Sequence, residues 1–244
     1  MADRQHLVLI HGHLCSPGMW RRQVAQLSAS YDLHVPSIGA HDTIRGFSKA
    51  LLTGLPDSFS VAGFSLGGYI AMDMIRIAPQ RIRRVALLDT VSHVDTPEQQ
   101  ARRDANLRRA AEGGFANIRS EFCAALSGPV IARDAALREE IDAMVIAHGA
   151  DTYRIQQTAM RNRESFEMLL KQLTCPLLVA YGEEDALTPP AAHHAMAVRA
   201  PHAALVGIPG AAHMSPVEQP IAVGCLLDMW MQLPSPHASA TGAA

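Results

Sequence analysis

Val61-Ala62-Gly63-Phe64-Ser65-Leu66-Gly67-Gly68-Tyr69 is the stretch of sequence that decides the fold. The apolar run 59–64 leads into it, and an apolar helical pattern over 66–78 follows. Glycines stand two residues before and two residues after Ser65, and they allow close approach of chain segments at a sharp strand-to-helix turn. The spacing predicts that the Ser65 hydroxyl stands at a helix N-terminus, where N–H groups favour negative charge. A tight turn without chemistry is also compatible with this spacing, so a reactive serine needs partners elsewhere.

Short apolar runs recur along the chain and alternate with helical stretches. They cover residues 7–10, 33–35, 59–64, 84–88, 177–181 and 203–208. Continuous runs of Val, Leu and Ile are typical of parallel strands that are buried on both faces. The alternation therefore predicts an α/β fold: a mostly parallel sheet of about six strands with helices on both faces.

The strand signal is absent between Asp89 and Leu177. Helical patterns occupy this stretch over 97–112, 115–127, 134–147 and 151–171. We therefore predict a helical cap, residues 92–168, inserted into an α/β core formed by residues 1–91 and 169–233. The tail 234–244 is small, polar and rich in proline, and it is predicted to be disordered.

The composition excludes several classes of protein. The 244 residues carry 21 Lys and Arg against 23 Asp and Glu, so no basic excess supports nucleic-acid binding. No apolar run reaches the ~18 residues of a transmembrane helix, and the polar start of the chain does not resemble a signal peptide. We expect a cytoplasmic protein without membrane attachment. The sequence gives no indication of its oligomeric state.

The cysteines and histidines do not predict a metal site. The four cysteines are widely separated and form no CxxC pair, so neither a disulfide framework nor a zinc site is indicated. His11 and His13 are spaced as a metal-binding pair, but no third ligand stands near them. The adjacent His193 and His194 lie in a predicted helix and are interpreted as surface residues. No metal and no cofactor are expected.

A reactive serine needs a base and an acid that orients the base. The best base is His213, which lies among small residues between the last strand and the last predicted helix, over 217–231. The best acid is Asp185, just beyond the strand 177–181, whereas its neighbours Glu183 and Glu184 are interpreted as solvated loop carboxylates. Asp89, which follows the strand 84–88, is a second candidate for the acid.

The three residues follow strands in the order Ser65, Asp185, His213. Open α/β sheets place their sites at the carboxyl ends of the strands, so these side chains are expected to meet there. The loop after the first strand contains Gly12, which allows close approach to the serine. The backbone N–H groups of His13 and Leu66 are therefore expected to form an oxyanion hole.

These motifs resemble those of the α/β-hydrolase superfamily. They are Leu-Val-Leu-Ile-His-Gly-His at 7–13, the serine stretch at 61–69, Gly-Glu-Glu-Asp-Ala-Leu-Thr-Pro-Pro at 182–190 and Gly-Ala-Ala-His-Met-Ser-Pro-Val-Glu-Gln-Pro at 210–220. The pattern is similar to that of small bacterial carboxylesterases, including pimeloyl-carrier-protein methyl esterases, and to that of 3-oxoadipate enol-lactonases and carbon–carbon-bond hydrolases. The resemblance implies an α/β-hydrolase fold whose helical cap lies where residues 92–168 lie.

The chain departs from the family pattern at two places. The antiparallel strand pair that usually precedes the first His-Gly strand is missing, which is why about six strands are expected. The Gly-His-Gly-x-Ser segment of many relatives is replaced by Ser37-Ile38-Gly39-Ala40-His41-Asp42. The second departure weakens any transfer of substrate from the relatives.

The resemblance and the motifs together predict a serine hydrolase of small to medium carboxylic esters. The same three residues would also suit an enol-lactonase or a hydrolase of diketone carbon–carbon bonds. A ligand receptor on a hydrolase scaffold is the alternative from another class, against which the intact Ser-His-Asp set argues. Most charges of the cap are expected to be solvated, but Arg161 and Arg163 are candidates for binding a substrate carboxylate.

Overall fold

The computed structural model describes residues 4–126 and 128–235, and its centre is a six-stranded sheet. The strands are β1 (His6–Ile10), β2 (Asp32–His34), β3 (Phe59–Phe64), β4 (Ile82–Leu88), β5 (Leu177–Gly182) and β6 (Ala203–Ile208). All neighbouring strands pair in parallel, in the order β2-β1-β3-β4-β5-β6. The predicted number of strands and the parallel sheet are confirmed.

Alternation along each strand gives the sheet two apolar faces. In β1, Val8 and Ile10 pack on one side, while Leu7 and Leu9 pack on the other, and all four are fully buried. The strands β3, β4 and β5 alternate in the same way. Burying each such side chain stabilises the fold by about 1.5–3 kcal/mol, which explains why apolar residues predominate in these strands.

Twelve α-helices are found in the described residues. They are α1 (Arg21–Leu27), α2 (Ile44–Leu52), α3 (Leu66–Ile77), α4 (Pro97–Ala111), α5 (Phe115–Leu126), α6 (Pro129–Arg133), α7 (Ala135–Ile146), α8 (Ala150–Arg161), α9 (Glu167–Lys171), α10 (Pro190–Arg199), α11 (Ser215–Glu218) and α12 (Pro220–Met231). Helices α2, α3 and α10 pack on the Val8 face of the sheet, and α1 and α12 pack on the Leu9 face.

Two predicted helices are each divided in the structure. The helical pattern over 151–171 breaks after Arg161, and the chain between α8 and α9 is tied to the core by a hydrogen bond from Phe166 N–H to the Ser92 carbonyl (2.8 Å). The pattern over 217–231 breaks at Gln219, because Pro220 has no N–H for a continuing helix and restricts the residue before it.

Helices α4 to α8 lie between β4 and β5, in the stretch for which the sequence predicts a cap. Most of their buried apolar residues, including Ile118 and Tyr153, pack against the Leu9 face of the core, whereas Ala159 and Met160 of α8 pack with the Val8 face. Of the predicted disordered tail 234–244, residues 236–244 lie outside the described residues. No helix in the described part of the chain is long and apolar enough to cross a membrane.

Candidate active site

Ser65 lies at the turn between β3 and α3, in a backbone conformation that L-residues rarely adopt. Its φ angle is 52°, and its N–H donates to the Leu88 carbonyl of β4 at 2.9 Å. A Cβ atom at Gly63 would lie 2.3 Å from the Gly67 carbonyl oxygen, so the turn closes only with glycine there. The predicted strand-to-helix turn is thus present, and its geometry holds Ser65 at the carboxyl edge of the sheet.

The structure brings Ser65, His213 and Asp185 together. His213 Nε2 lies 3.1 Å from Ser65 Oγ, and His213 Nδ1 lies 2.8 Å from Asp185 Oδ2. Burial alone would raise the pKa of Asp185, but hydrogen bonds from His213 and Thr188 and the attraction of His213 hold that pKa below its usual value. Asp185 therefore stays ionised, and its charge favours a proton on His213 Nδ1.

Asp89 does not serve His213, although it lies nearby. One of its carboxylate oxygens accepts the Gly182 N–H at 2.8 Å, and the other accepts the hydroxyl of Ser215. Complete burial, together with the charge of Asp185, raises the pKa of Asp89 well above its usual value. Asp89 thus ties the end of β4 to β5 and to the loop that carries His213.

Glu218 holds the backbone on both sides of His213. Its two carboxylate oxygens accept the N–H of Ala212 (2.9 Å) and the N–H of Met214 (3.1 Å), and its side chain is buried. Burial outweighs these two hydrogen bonds and raises the pKa of Glu218. Sequence reasoning missed this residue, although a carboxylate five residues after His213, just beyond the loop of small residues, was a usable signal.

The Glu218→Ala variant is expected to lower the free energy of unfolding by about 2–5 kcal/mol. Two buried N–H groups would lose their acceptor, and each such loss costs about 1–3 kcal/mol. Urea titration at neutral pH measures the effect. The exposed Glu183 is the matched control, since Glu183→Ala is expected to stay within about 0.5 kcal/mol of the parent. Equal stability of the two variants would contradict the role given to Glu218.

The loop after β1 passes directly beside the serine. A Cβ atom at Gly12 would lie 3.3 Å from Ser65 Cβ and 2.7 Å from the Phe64 ring. Leu14 N–H donates to Gln156, and Cys15 N–H donates to the Gly12 carbonyl. The N–H of His13, just before them in the loop, takes part in neither hydrogen bond. Leu66 begins α3, so its N–H has no acceptor one turn earlier in the helix.

A cavity of about 330 Å³ opens onto Ser65 and His213. One wall is polar and comes from α4: Gln99, Arg102, Arg103 and Asn106 recur at helical spacing. Another wall comes from α5 and is apolar at Ile118, Phe122, Ala125 and Leu126, while Glu121 of the same helix also lines the cavity and pairs with Arg109. The space has the size of a small-ligand site, and its two walls suit a substrate with an apolar chain and a polar end.

The sequence profile of the alpha/beta hydrolase family matches residues 7–223. The chain belongs to the alpha/beta hydrolase family. Two curated relatives of this hydrolase are named pimeloyl-[acyl-carrier protein] methyl ester esterase. The one from Aromatoleum aromaticum is 28% identical over 93% of this chain and 98% of the relative. The one from Chromobacterium violaceum is 28% identical over 85% of this chain and 86% of the relative.

Solved structures share the fold of this hydrolase. A thermophilic esterase from Thermogutta terrifontis superimposes with a TM-score of 0.86 and 26% identity, covering 93% of this chain and 89% of its own. An enol-lactonase from Burkholderia xenovorans LB400 superimposes with a TM-score of 0.84, covering 95% of this chain and 93% of its own. Its identity of 20% shows a common fold only.

The two arginines that the sequence singled out lie in different surroundings in the hydrolase. Arg161 does not line the cavity and pairs with Asp104 through two hydrogen bonds. Arg163 lines the cavity, but it is buried, lies 2.8 Å from Asp95 and stacks 4.5 Å over the Tyr69 ring. Arg102, which sequence reasoning missed, lines the cavity, is exposed and has no ion pair among the described residues.

The interpretation of His193 as a surface residue is wrong. This side chain is fully buried, stacks on Tyr181 at 4.9 Å, and its Nε2 accepts the Thr90 N–H at 3.1 Å. Burial lowers the pKa of His193 to about 4, so it stays neutral. Thr90 in turn donates its hydroxyl to the Ser65 carbonyl at 2.8 Å. His193 therefore supports the serine turn through Thr90, whereas His194 is exposed.

No group of three or more His, Cys, Asp or Glu side chains that could hold a metal ion is found within residues 4–126 and 128–235. The pair that the sequence raised as a metal candidate is used differently. His11 Nε2 accepts the Ile38 N–H at 3.2 Å, which fixes the segment that departs from the family pattern. His13 is hydrogen-bonded on both ring nitrogens to glutamines of α8.

Proposed function

We propose that this hydrolase cleaves small to medium carboxylic esters through an acyl-enzyme formed on Ser65. The observation that carries the proposal is the continuous chain of contacts from Ser65 Oγ through His213 to Asp185, with distances of 3.1 Å and 2.8 Å, at the wall of an open cavity. The esterase names of the curated relatives and of the Thermogutta structure support an ester as the substrate.

The proposed mechanism follows from the positions of these atoms. Ser65 Oγ attacks the acyl carbonyl while His213 Nε2 takes its proton, and Asp185 stabilises the resulting imidazolium. The N–H groups of His13 and Leu66 stabilise the oxyanion of the tetrahedral intermediate. His213 then gives the proton to the leaving alcohol, and a water molecule that it activates in the same way hydrolyses the acyl-enzyme.

A series of p-nitrophenyl esters with increasing acyl chain length tests the proposal, run beside lactones and diketones. We expect a burst of one nitrophenol per protein with the acetate, because acylation precedes the hydrolysis of the acyl-enzyme. If the protein turns over lactones or diketones but no ester, the proposed substrate class is wrong, and a lactonase or a carbon–carbon-bond hydrolase takes its place. Tight ligand binding without any turnover would contradict an enzyme and favour a receptor.

Arg102 gives a prediction about selectivity. Its charge at the cavity wall favours a substrate with a remote carboxylate, so Arg102→Ala is expected to lower the preference for an acidic over a neutral ester by about two- to five-fold, the range of an exposed ion pair. The measurement compares kcat/KM for the monomethyl ester of a dicarboxylic acid and the methyl ester of a monocarboxylic acid of equal length. Arg161→Ala is the matched control, since Arg161 pairs with Asp104 away from the cavity. An equal change in the acidic-to-neutral preference in both variants would contradict the role of Arg102.

A further inference from the structure

An amide oxygen from a helix of the cap contacts the loop after β1. Gln156 of α8 is 98% buried, being only 2% exposed, and its Oε1 lies 2.9 Å from the Leu14 N and 2.8 Å from His13 Nδ1. The Leu14 N–H is a donor, so the atom facing it is the oxygen of the amide. The same oxygen only accepts, and His13 therefore carries its ring proton on Nδ1.

The residue that Gln156 holds is strained. Leu14 has a φ of 51°, a conformation that costs a non-glycine residue on the order of 1–3 kcal/mol and persists only where neighbours enforce it. It stands directly after His13 in a turn that is closed by the Cys15 N–H, which donates to the Gly12 carbonyl. The direction of the His13 N–H thus depends on the turn at Leu14, and the Gln156 oxygen is the acceptor that satisfies the N–H of this turn.

Gln157, the next residue of α8, completes the contact between cap and loop. Its amide nitrogen donates to His13 Nε2 at 3.0 Å, and its amide oxygen accepts from Arg103 of α4 at 2.7 Å. Burial lowers the pKa of His13 to about 3, so the ring stays neutral, with one donor and one acceptor nitrogen. The two glutamines therefore hold the ring and the backbone of the same loop from one helix of the cap.

We propose that Gln156 is a positioning residue for the oxyanion hole: through its amide oxygen, the cap sets the orientation of the His13 N–H. The inference rests on the proposed function, in which that N–H stabilises the oxyanion. Its consequence is that the cap contributes to kcat as well as to the binding of substrate.

Three variants of Gln156 test this role. Gln156→Met keeps the length of the side chain and removes the acceptor. We expect kcat per active site to fall about 10- to 100-fold, somewhat less than the loss of an entire oxyanion donor, with KM changed less than three-fold. Gln156→Asn keeps the amide but places it one methylene short of the loop. If the Met variant does not fold, the Asn variant is measured instead, and the same fall in kcat is expected. Gln156→Glu keeps an oxygen acceptor in place and is expected to retain at least half of the parental kcat.

Inhibition by a trifluoromethyl ketone separates positioning from a structural role. The ketone forms a tetrahedral oxyanion on the serine, so its inhibition constant is expected to rise by the same factor as kcat/KM falls. Active sites are counted by titration with a serine-directed phosphonate, which removes the effect of unfolded protein. Gln157→Met is the matched comparison, since Gln157 is hydrogen-bonded to the His13 ring and to Arg103 but not to the loop backbone. The loss of kcat in this variant is expected to be smaller.

The outcomes distinguish the inference from the function on which it rests. If the parent protein hydrolyses esters while the Met or Asn variant keeps kcat within about three-fold, the positioning role is wrong and the proposed function stands. An unchanged ketone constant despite a lower kcat, or a greater loss in Gln157→Met than in Gln156→Met, overturns the inference as well. If the parent protein turns over no ester and the phosphonate does not label Ser65, the proposed function itself fails.

Discussion

The Ser65→Ala variant is expected to lose about 10³- to 10⁶-fold in kcat towards esters, because the proposed acyl-enzyme forms on the hydroxyl that this change removes. The folded state loses little by the change. The Ser65 hydroxyl contacts His213 Nε2, while the backbone bonds of residue 65 to Leu88 and Thr90 do not involve the hydroxyl. We therefore expect the free energy of unfolding to stay within about 1 kcal/mol of the parent.

Labelling with a serine-directed phosphonate provides the second measurement for Ser65. Mass spectrometry is expected to find one phosphonyl group on residue 65 of the parent and none on the Ala variant. Ser48→Ala is the control, since Ser48 is a buried serine of α2 whose hydroxyl donates to the Ile44 and Ile70 carbonyls. Retention of more than about 10% of the activity by Ser65→Ala would refute the assignment of the nucleophile.

The strands could be predicted because the apolar pattern that marks each of them lies within the strand itself. The central strands β1, β3, β4 and β5 are largely apolar and buried on both faces, whereas the edge strands β2 and β6 are half-buried. The predicted limits agree with β3 and β6 and differ by at most two residues elsewhere. The helix α2 was missed because Gly46 and the polar residues around it weaken its helical pattern. Its signals were Thr43, whose side chain caps Gly46 N–H, and the apolar residues Ile44 and Phe47 three positions apart.

The three residues proposed for catalysis could be placed from the sequence because each lies in the turn or loop that follows a strand that the sequence marks. The parallel sheet then brings these loops to one edge. Backbone strain gathers there too: among the described residues, the non-glycines with positive φ are Leu14, Ser65 and Asp89, which lie in loops after β1, β3 and β4.

The supporting residues could not be placed in this way. The contact between Gln156 and His13 spans 143 positions, and the one between His193 and Thr90 spans 103. The residues beside Gln156 and His193 in their helices give no indication of these distant partners. The surroundings of the arginines could not be placed for the same reason, since the packing of α4 against α8 decides that Arg102 faces the cavity and Arg161 faces Asp104.

The Asp185→Asn variant is expected to lose at least ~10² in kcat through the wrong tautomer of the base. Asp185 Oδ1 accepts the N–H groups of Leu187 (2.8 Å) and Thr188 (2.9 Å), so the oxygen of an asparagine amide would occupy that position. The NH₂ group would then face His213 Nδ1 and donate to it. The ring proton would move to Nε2, which could no longer accept the proton of Ser65; in a serine protease the corresponding change costs about 10⁴.

The Asp89→Asn variant is the matched control, with an expected loss in kcat of less than about ten-fold. An asparagine oxygen can still accept the Gly182 N–H, and its NH₂ group can donate to the Ser215 hydroxyl, which rotates to accept. The raised pKa of Asp89 also favours the neutral carboxyl, which asparagine resembles. The reverse ranking of the two variants in kcat would move the orienting acid to Asp89. Equal, small losses in kcat would mean that the charge of Asp185 does not hold His213 in the tautomer that accepts the proton. Catalysis would then rest on Ser65 and His213 alone, or on Glu184 as the orienting acid.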